Sequence, residues 1–180
     1  MSLKKQVQSY SLLSESEQNN FSSKMSISAI PQKIGNPYLL LKCGVENIAF
    51  EMSSIAEVSR VRFVHRLPHK SEGVAFGLVN INGELLIAIN IYKLLGIDDC
   101  GVAYSIPRMI VCRNGEDKFV FKVDKVDGLA SIADSELLLN NKDDKKVLGK
   151  FSEKYFIYNQ SRYNVVDFEL FIHAIKRHHL

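Results

Sequence analysis

From Tyr38 onward the apolar residues of this chain arrive in short runs broken by turn signals, the pattern of an all-β domain with short strands. The clearest hairpin runs from Ala75 to Ile81, turns at Asn82-Gly83 and returns from Glu84 to Ile89. Asn-Gly between apolar runs predicts a type I′ turn, because both central positions need positive φ and these two residues tolerate it. A second Asn-Gly, Asn114-Gly115, separates Met109 to Arg113 from Lys118 to Asp124. Residues 133–146 are polar and charged and read as a loop between sheets. Two helices interrupt the strands. Ile91 to Leu95 has Asn90 as N-cap and Gly96 just past its end. Phe168 to Arg177 follows Asp167 and carries Lys176, Arg177 and His178 in its last turn, where cations suit the helix dipole.

Residues 1–36 have a different texture, rich in Ser, Gln and Asn, with Ser14 and Glu17 spaced as a capping box ahead of a short helix through Met25. They read as an N-terminal extension, either docked through its few apolar residues or frayed.

Laid against itself, the chain shows a duplication. At an offset of 71 (39 to 110), Leu39 to Lys42 falls on Ile110 to Arg113, Gly44 on Gly115, Ile48 to Phe50 on Phe119 to Phe121 and Ile55 on Val126. At an offset of 77 (88 to 165), Ala88 to Ile91 falls on Val165 to Phe168. Both copies read as hairpin, connection, strand, Asx cap, helix. The alternative is that any two apolar hairpins align to some degree; the co-linear order of the features weighs against it. A true duplication implies two similar small barrels, the cleft between them being a natural binding surface.

Composition removes other classes. The 180 residues are 46% hydrophobic and 24% charged, with a net charge of +3 and a pI near 8.7. Residues 1–40 carry 4 basic and 2 acidic side chains, residues 41–100 carry 6 and 7, and residues 101–180 carry 13 and 11. No segment has the concentrated excess that phosphate-backbone binding needs. Cys43, Cys100 and Cys112 are odd in number and lack CxxC spacing, which argues against a disulfide framework or zinc site and for a reducing cytoplasm. No apolar run is long enough to span a membrane, and no secretory h-region is present. Neither a nucleophile elbow nor a phosphate-binding glycine motif occurs. His65 and His69 stand four apart, but Leu67-Pro68 between them breaks any helix that would put them on one face as metal ligands.

The segment Gly77-Leu78-Val79-Asn80-Ile81-Asn82-Gly83, followed by an apolar strand to Ile89 and then Asn90-Ile91, resembles the Gly-Val-Ile-Asn-Leu-Arg-Gly signature of the CheW-like adaptors of bacterial chemotaxis. Leu67-Pro68, Val123-Asp124-Lys125-Val126 and the closing Val165 to Glu169 resemble further segments of that family, and the resemblance spans residues 37–175. It implies a mainly β fold of two SH3-like five-stranded barrels with short connecting helices and a C-terminal helix, the halves covering roughly 37–95 and 106–175 with strand exchange between them allowed. It also implies a cytoplasmic scaffold without catalytic residues, cofactor or metal. Its partners would be the regulatory domain of a CheA-type histidine kinase and a chemoreceptor or other sensor, with no nucleic acid and no membrane insertion.

Carried over by position, Ile55 and Glu57 fall where the first barrel meets a partner. Gly77, Asn80 and Gly83 match the turn signature near the receptor groove, and Leu129 lies in the groove-facing part of the second barrel. Asn82 stands where the family has Arg, and an amide cannot supply a planar bidentate cation. Receptor coupling is the function this departure puts at issue, and it suggests a divergent adaptor serving a pilus or other kinase array. Glu57, between Ile55 and Val58, would present a charge beside an apolar patch; the alternative is a solvated edge-strand charge. Arg60, Arg62, His65, Arg66, His69 and Lys70 form the only local basic cluster, with Arg60 and Arg62 expected on one strand face, where edge protection is the favoured reading over an acidic partner or nucleic acid. Tyr155, Phe156, Tyr158 and Tyr163 read as cross-strand packing. The competing class is a small β-barrel module that binds a nucleic acid or a small molecule.

Overall fold

The structure, a computed structural model, describes residues 35–67, 73–99, 106–140 and 147–179, all within the unit that spans 34–180. The expected Ser14–Glu17 capping box and helix, and Pro68, His69, Lys70 and Cys100, lie outside these residues.

Among the described residues, twelve strands form two six-stranded sheets. In the first half of the chain they are β1 (Asn36–Cys43), β2 (Glu46–Glu51), β3 (Ile55–Arg60), β4 (Val64–Arg66), β5 (Ala75–Ile81) and β6 (Glu84–Ile89), followed by helix α1 (Ile91–Leu95). The second half repeats the order with β7 (Arg108–Asn114), β8 (Asp117–Val123), β9 (Lys125–Ile132), β10 (Leu138–Leu139), β11 (Lys154–Tyr158) and β12 (Ser161–Val165), then helix α2 (Phe168–His179). One sheet, here sheet A, runs β10-β11-β12-β2-β1-β9, and sheet B runs β3-β7-β8-β6-β5-β4. The halves have exchanged their first hairpins: β1-β2 completes the sheet of the second half and β7-β8 that of the first.

The duplication read from sequence extends to single hydrogen bonds. Asn90 accepts from the Lys93 N–H at 3.1 Å, and 77 positions on Asp167 accepts from the Leu170 N–H at 3.0 Å, so the same cap opens both helices. The backbone N–H of Asn90 donates to Val74 and that of Asp167 to Phe151, both at 2.7 Å. The parallel pairings also correspond, Ile87 with Phe119 and Ala88 with Val120 in sheet B against Asn164 with Ile48 and Val165 with Ala49 in sheet A.

Each sheet curls strongly. Its two edge strands follow one another in sequence; β3 and β4 are separated only by Val61, Arg62 and Phe63. Five spacings of about 4.8 Å would hold the edges of a flat sheet roughly 24 Å apart, whereas the four-step link from Arg60 to Val64 reaches about 14 Å. The edges approach without pairing, so each sheet is an unclosed barrel of six strands, the short β4 and β10 adding to the five expected.

Three cores result. Val79, Ile81, Met109, Val111 and Val120 fill the barrel of sheet B, and Tyr38, Leu40, Ala49, Phe156 and Tyr163 that of sheet A. Leu39, Leu41, Ile48, Phe50, Ile110, Phe121 and both helices fill the layer between the sheets. The exchanged hairpins are thus buried on both faces, which is why Leu39-Leu40-Leu41 and Phe119-Val120-Phe121 read as unbroken apolar runs. Phe156 and Tyr163 are cross-strand partners with rings stacked 5.9 Å apart, as packing requires.

The first Asn-Gly turn is as expected, with φ of 50° at Asn82 and 91° at Gly83. The second differs. Asn114 stays in β7 opposite Asp117, so the turn residues are Gly115 and Glu116, and only Gly115 has positive φ. A further turn with both residues at positive φ, Asn159-Gln160, sits 77 positions after Asn82-Gly83; without a Gly it gave no turn signal. Among its described residues, the expected polar loop at 133–146 contains a 3-10 turn at Asp134–Glu136 and strand β10, and α2 extends two residues beyond Arg177.

Candidate partner-binding surface

Glu57 and Asn82 come from different strands and meet at one end of sheet B. The Asn82 side-chain amide donates to both carboxylate oxygens of Glu57, at 2.9 and 3.0 Å. β3 is an edge strand paired only with β7, and its register slips between Ile55 and Glu57, leaving Ala56 as an extra residue. Such a bulge re-aims the side chains that follow it. Ile55 stands opposite Cys112, on the face toward the inter-sheet core, while Glu57 stands opposite Val111, on the barrel face. Ile55 and Glu57 therefore do not share a face, as regular alternation would have made them. Ile55 packs against the inter-sheet core, and Glu57 is a half-buried carboxylate at the barrel rim held by a neutral amide.

The other signature residues have work within the fold. The Asn80 side chain accepts from the Gly83 N–H at 2.8 Å and pins the turn that carries Asn82. At Gly77 a Cβ would lie 2.4 Å from Val64 Cγ1 and 2.7 Å from the His65 carbonyl oxygen, so glycine is what lets β4 approach β5. Gly83 is different: nothing lies within 4 Å of a Cβ there, and its φ of +91° is the constraint.

Leu129 lies on β9, the edge strand of sheet A, opposite Leu39 and 61% exposed. Its counterpart at an offset of 71 is Val58 on β3, opposite Ile110 and 41% exposed. Leu39 and Ile110 both belong to the inter-sheet core, so each exposed side chain emerges on the face its sheet turns toward the other. From the sequence Val58 was named only as an apolar flank of Glu57, although the offset that pairs it with Leu129 was available.

Asp124, in the family-like Val-Asp-x-Val segment, is 6% exposed and accepts from the Gly44 N–H at 2.7 Å. It ties the β8–β9 corner to the β1–β2 turn, a fully local reason for a carboxylate at this position.

The basic run is reorganised. β3 ends at Arg60 and β4 begins at Val64, so Arg60 and Arg62 do not share a strand face; Arg62 lies in the link, and its backbone N–H approaches the Met109 sulfur at 3.4 Å. His65 sits edge-on to the exposed Phe63 ring. Burial holds the Tyr38 and Tyr163 phenols and the Cys112 thiol up at about 12, and raises Cys43 and Tyr92 further. These groups are neutral near pH 7. Among the described residues no group of three His, Cys, Asp or Glu side chains converges as a metal site, and no helix is long and apolar enough to cross a membrane.

Two curled sheets with exchanged hairpins and three packed cores define a mainly β protein of two matched halves. Comparison with known proteins specifies the family. The model of the CheW-like domain matches residues 37–175, and the chain belongs to that family. It is 30% identical over 100 residues to a chemotaxis protein CheW of Thermotoga maritima, the match covering 54% of this chain and 63% of that protein. The crystal structure of a CheW scaffolding protein from Thermoanaerobacter tengcongensis has the same fold, with a TM-score of 0.64 at 16% identity over 76% of this chain and 87% of the other.

Proposed function

We propose that this protein is a non-catalytic cytoplasmic adaptor that couples a chemoreceptor or another sensor to a CheA-type histidine kinase. The family match across residues 37–175 carries the reading. The kinase docks at the first barrel through Ile55 and Glu57. The sensor docks along the border between the sheets, where Leu129 is exposed, and against the turn that Gly77, Asn80, Asn82 and Gly83 shape.

The local chemistry gives this adaptor a changed preference. Asn82 is a neutral amide and sets no opposite charge against Glu57 at the rim. An Arg at position 82 would meet Glu57 in a bidentate pair or offer its fork to the sensor. The test is a titration of the full chain against a CheA regulatory domain and against a chemoreceptor tip. Glu57→Arg is expected to weaken kinase binding by about ten-fold or more, the loss of one well-placed charged contact. Asn82→Arg is expected to strengthen receptor binding. Binding to neither partner by the unaltered chain overturns the assignment.

A further inference from the structure

At the end of sheet B opposite the Asn82-Gly83 turn lies a cleft of about 340 Å³. Val64, Phe76, Met109 and Val120 give it an apolar floor. Arg62, Arg66 and Lys122 stand around it and are exposed, and among the described residues none of their side chains has a hydrogen-bond or ion-pair partner. One carboxylate, Asp99, also reaches the lining.

The duplication supplies a comparison inside the same molecule. Sheet A has the corresponding cleft, about 480 Å³, where five carboxylates, Glu51, Glu153 and Glu169 among them, outnumber the two cations Arg113 and Lys154. Lys122 corresponds to Glu51, Phe76 to Glu153 and Tyr92 to Glu169, all of which line the sheet A cleft. A charge that the fold needed for its own stability would have the same sign in both copies. Lys122 and Glu51 show one backbone position taking either sign, so the Lys122 cation has no structural role that the fold repeats.

We propose that the sheet B cleft binds an acidic peptide segment of a partner protein, one apolar side chain resting on the Val64–Phe76–Met109–Val120 floor and flanking carboxylates meeting Arg62, Arg66 and Lys122. The volume is that of a small ligand site rather than of a surface track. Unpaired cations bordering an apolar floor form charge-assisted hydrogen bonds to carboxylates while the anchor is desolvated. A phosphate backbone fits less well, because it offers no apolar side chain to rest on the floor. This site lies away from the Glu57–Asn82 surface and stands independently of the kinase and sensor contacts.

The test uses the full chain and a fluorescein-labelled Glu-Glu-Leu-Phe-Glu-Glu peptide, read by fluorescence anisotropy. Glu-Glu-Ser-Ser-Glu-Glu and oligothymidylate serve as competitors. The Leu-Phe peptide is expected to bind about ten-fold or more tighter than the Ser-Ser peptide, and the Arg62→Glu/Lys122→Glu variant to lose about ten-fold or more. Both substituted side chains are exposed, and circular dichroism confirms the fold; if that variant fails to fold, Arg62→Gln/Lys122→Gln should lose affinity in the same direction. Glu57→Arg should leave peptide binding unchanged. The proposal is overturned by equal affinity for the two peptides, by unchanged binding in the charge variant, by oligothymidylate as the stronger ligand, or by loss of peptide binding in Glu57→Arg.

Discussion

Glycine serves two unrelated purposes in the strand-turn segment from Gly77 to Gly83, and single substitutions separate them. Gly77→Ala places a methyl against Val64 and the His65 carbonyl, and backbone cannot step aside as a flexible side chain would. The expected cost is about 1–3 kcal/mol, as for other overpacked sites. Gly83→Ala meets no neighbour and incurs only the left-handed backbone penalty, about 1–2 kcal/mol. Urea unfolding measures both. Adding Val64→Ala should recover part of the Gly77→Ala loss and none of the Gly83→Ala loss. Recovery in both variants, or in neither, would show that contact with β4 is not what position 77 requires. Asn82 was legible as a turn residue because its φ preference is intrinsic. Its bond to Glu57 was not, because it joins residues 25 apart through a bulge that no local pattern announces.

At the scale of elements, helix caps were the most readable feature. An Asx side chain followed by an apolar stretch is a local arrangement, and both caps form as read. Their consequences should differ. α1 has only five residues, four of them buried, so packing holds it. α2 has twelve, and its first turn depends on Asp167. Asp167→Ala is expected to cost about 1 kcal/mol or somewhat more, since the carboxylate also faces the positive end of the helix dipole. Asp167→Asn should recover most of that loss. A denaturant midpoint unchanged in Asp167→Ala would contradict the cap. Less legible was Asn159-Gln160, where Asn159 favours the left-handed conformation but Gln160 has it imposed by the pairing of Tyr158 with Ser161. The bulge in β3 was equally hidden, since Ile55-Ala56-Glu57-Val58 fits a regular strand.

For the whole molecule, hairpin exchange has a direct consequence for stability. Residues 35–99 retain β1 and β2 but lose β9 and β12, their neighbours in sheet A, and retain β3 to β6 without the β7-β8 hairpin that joins them in sheet B. The inter-sheet core loses Ile110, Phe121, Phe171 and Ile175 at the same time. A fragment of residues 35–99 is therefore expected to remain unfolded alone, and the intact chain to unfold in one cooperative transition. Far-ultraviolet circular dichroism of the fragment measures the first and matched optical transitions of the full chain the second. A cooperatively folded fragment would mean that each half closes its own sheet.

The amino-acid sequence by itself determined the strand-rich class, the main hairpin, both Asx-capped helices and the doubling of the chain, since each is written in neighbouring residues or in their repetition at a fixed offset. Local preference and periodicity suffice for features of that kind. Tertiary structure alone decided that the doubled units trade hairpins and leave their sheets unclosed, that a bulge turns Glu57 toward Asn82, and that Arg62, Arg66 and Lys122 gather around one apolar floor. Each of these depends on which strands lie side by side, and that is settled by burying the two-faced strands β1, β2, β7 and β8 between the barrels.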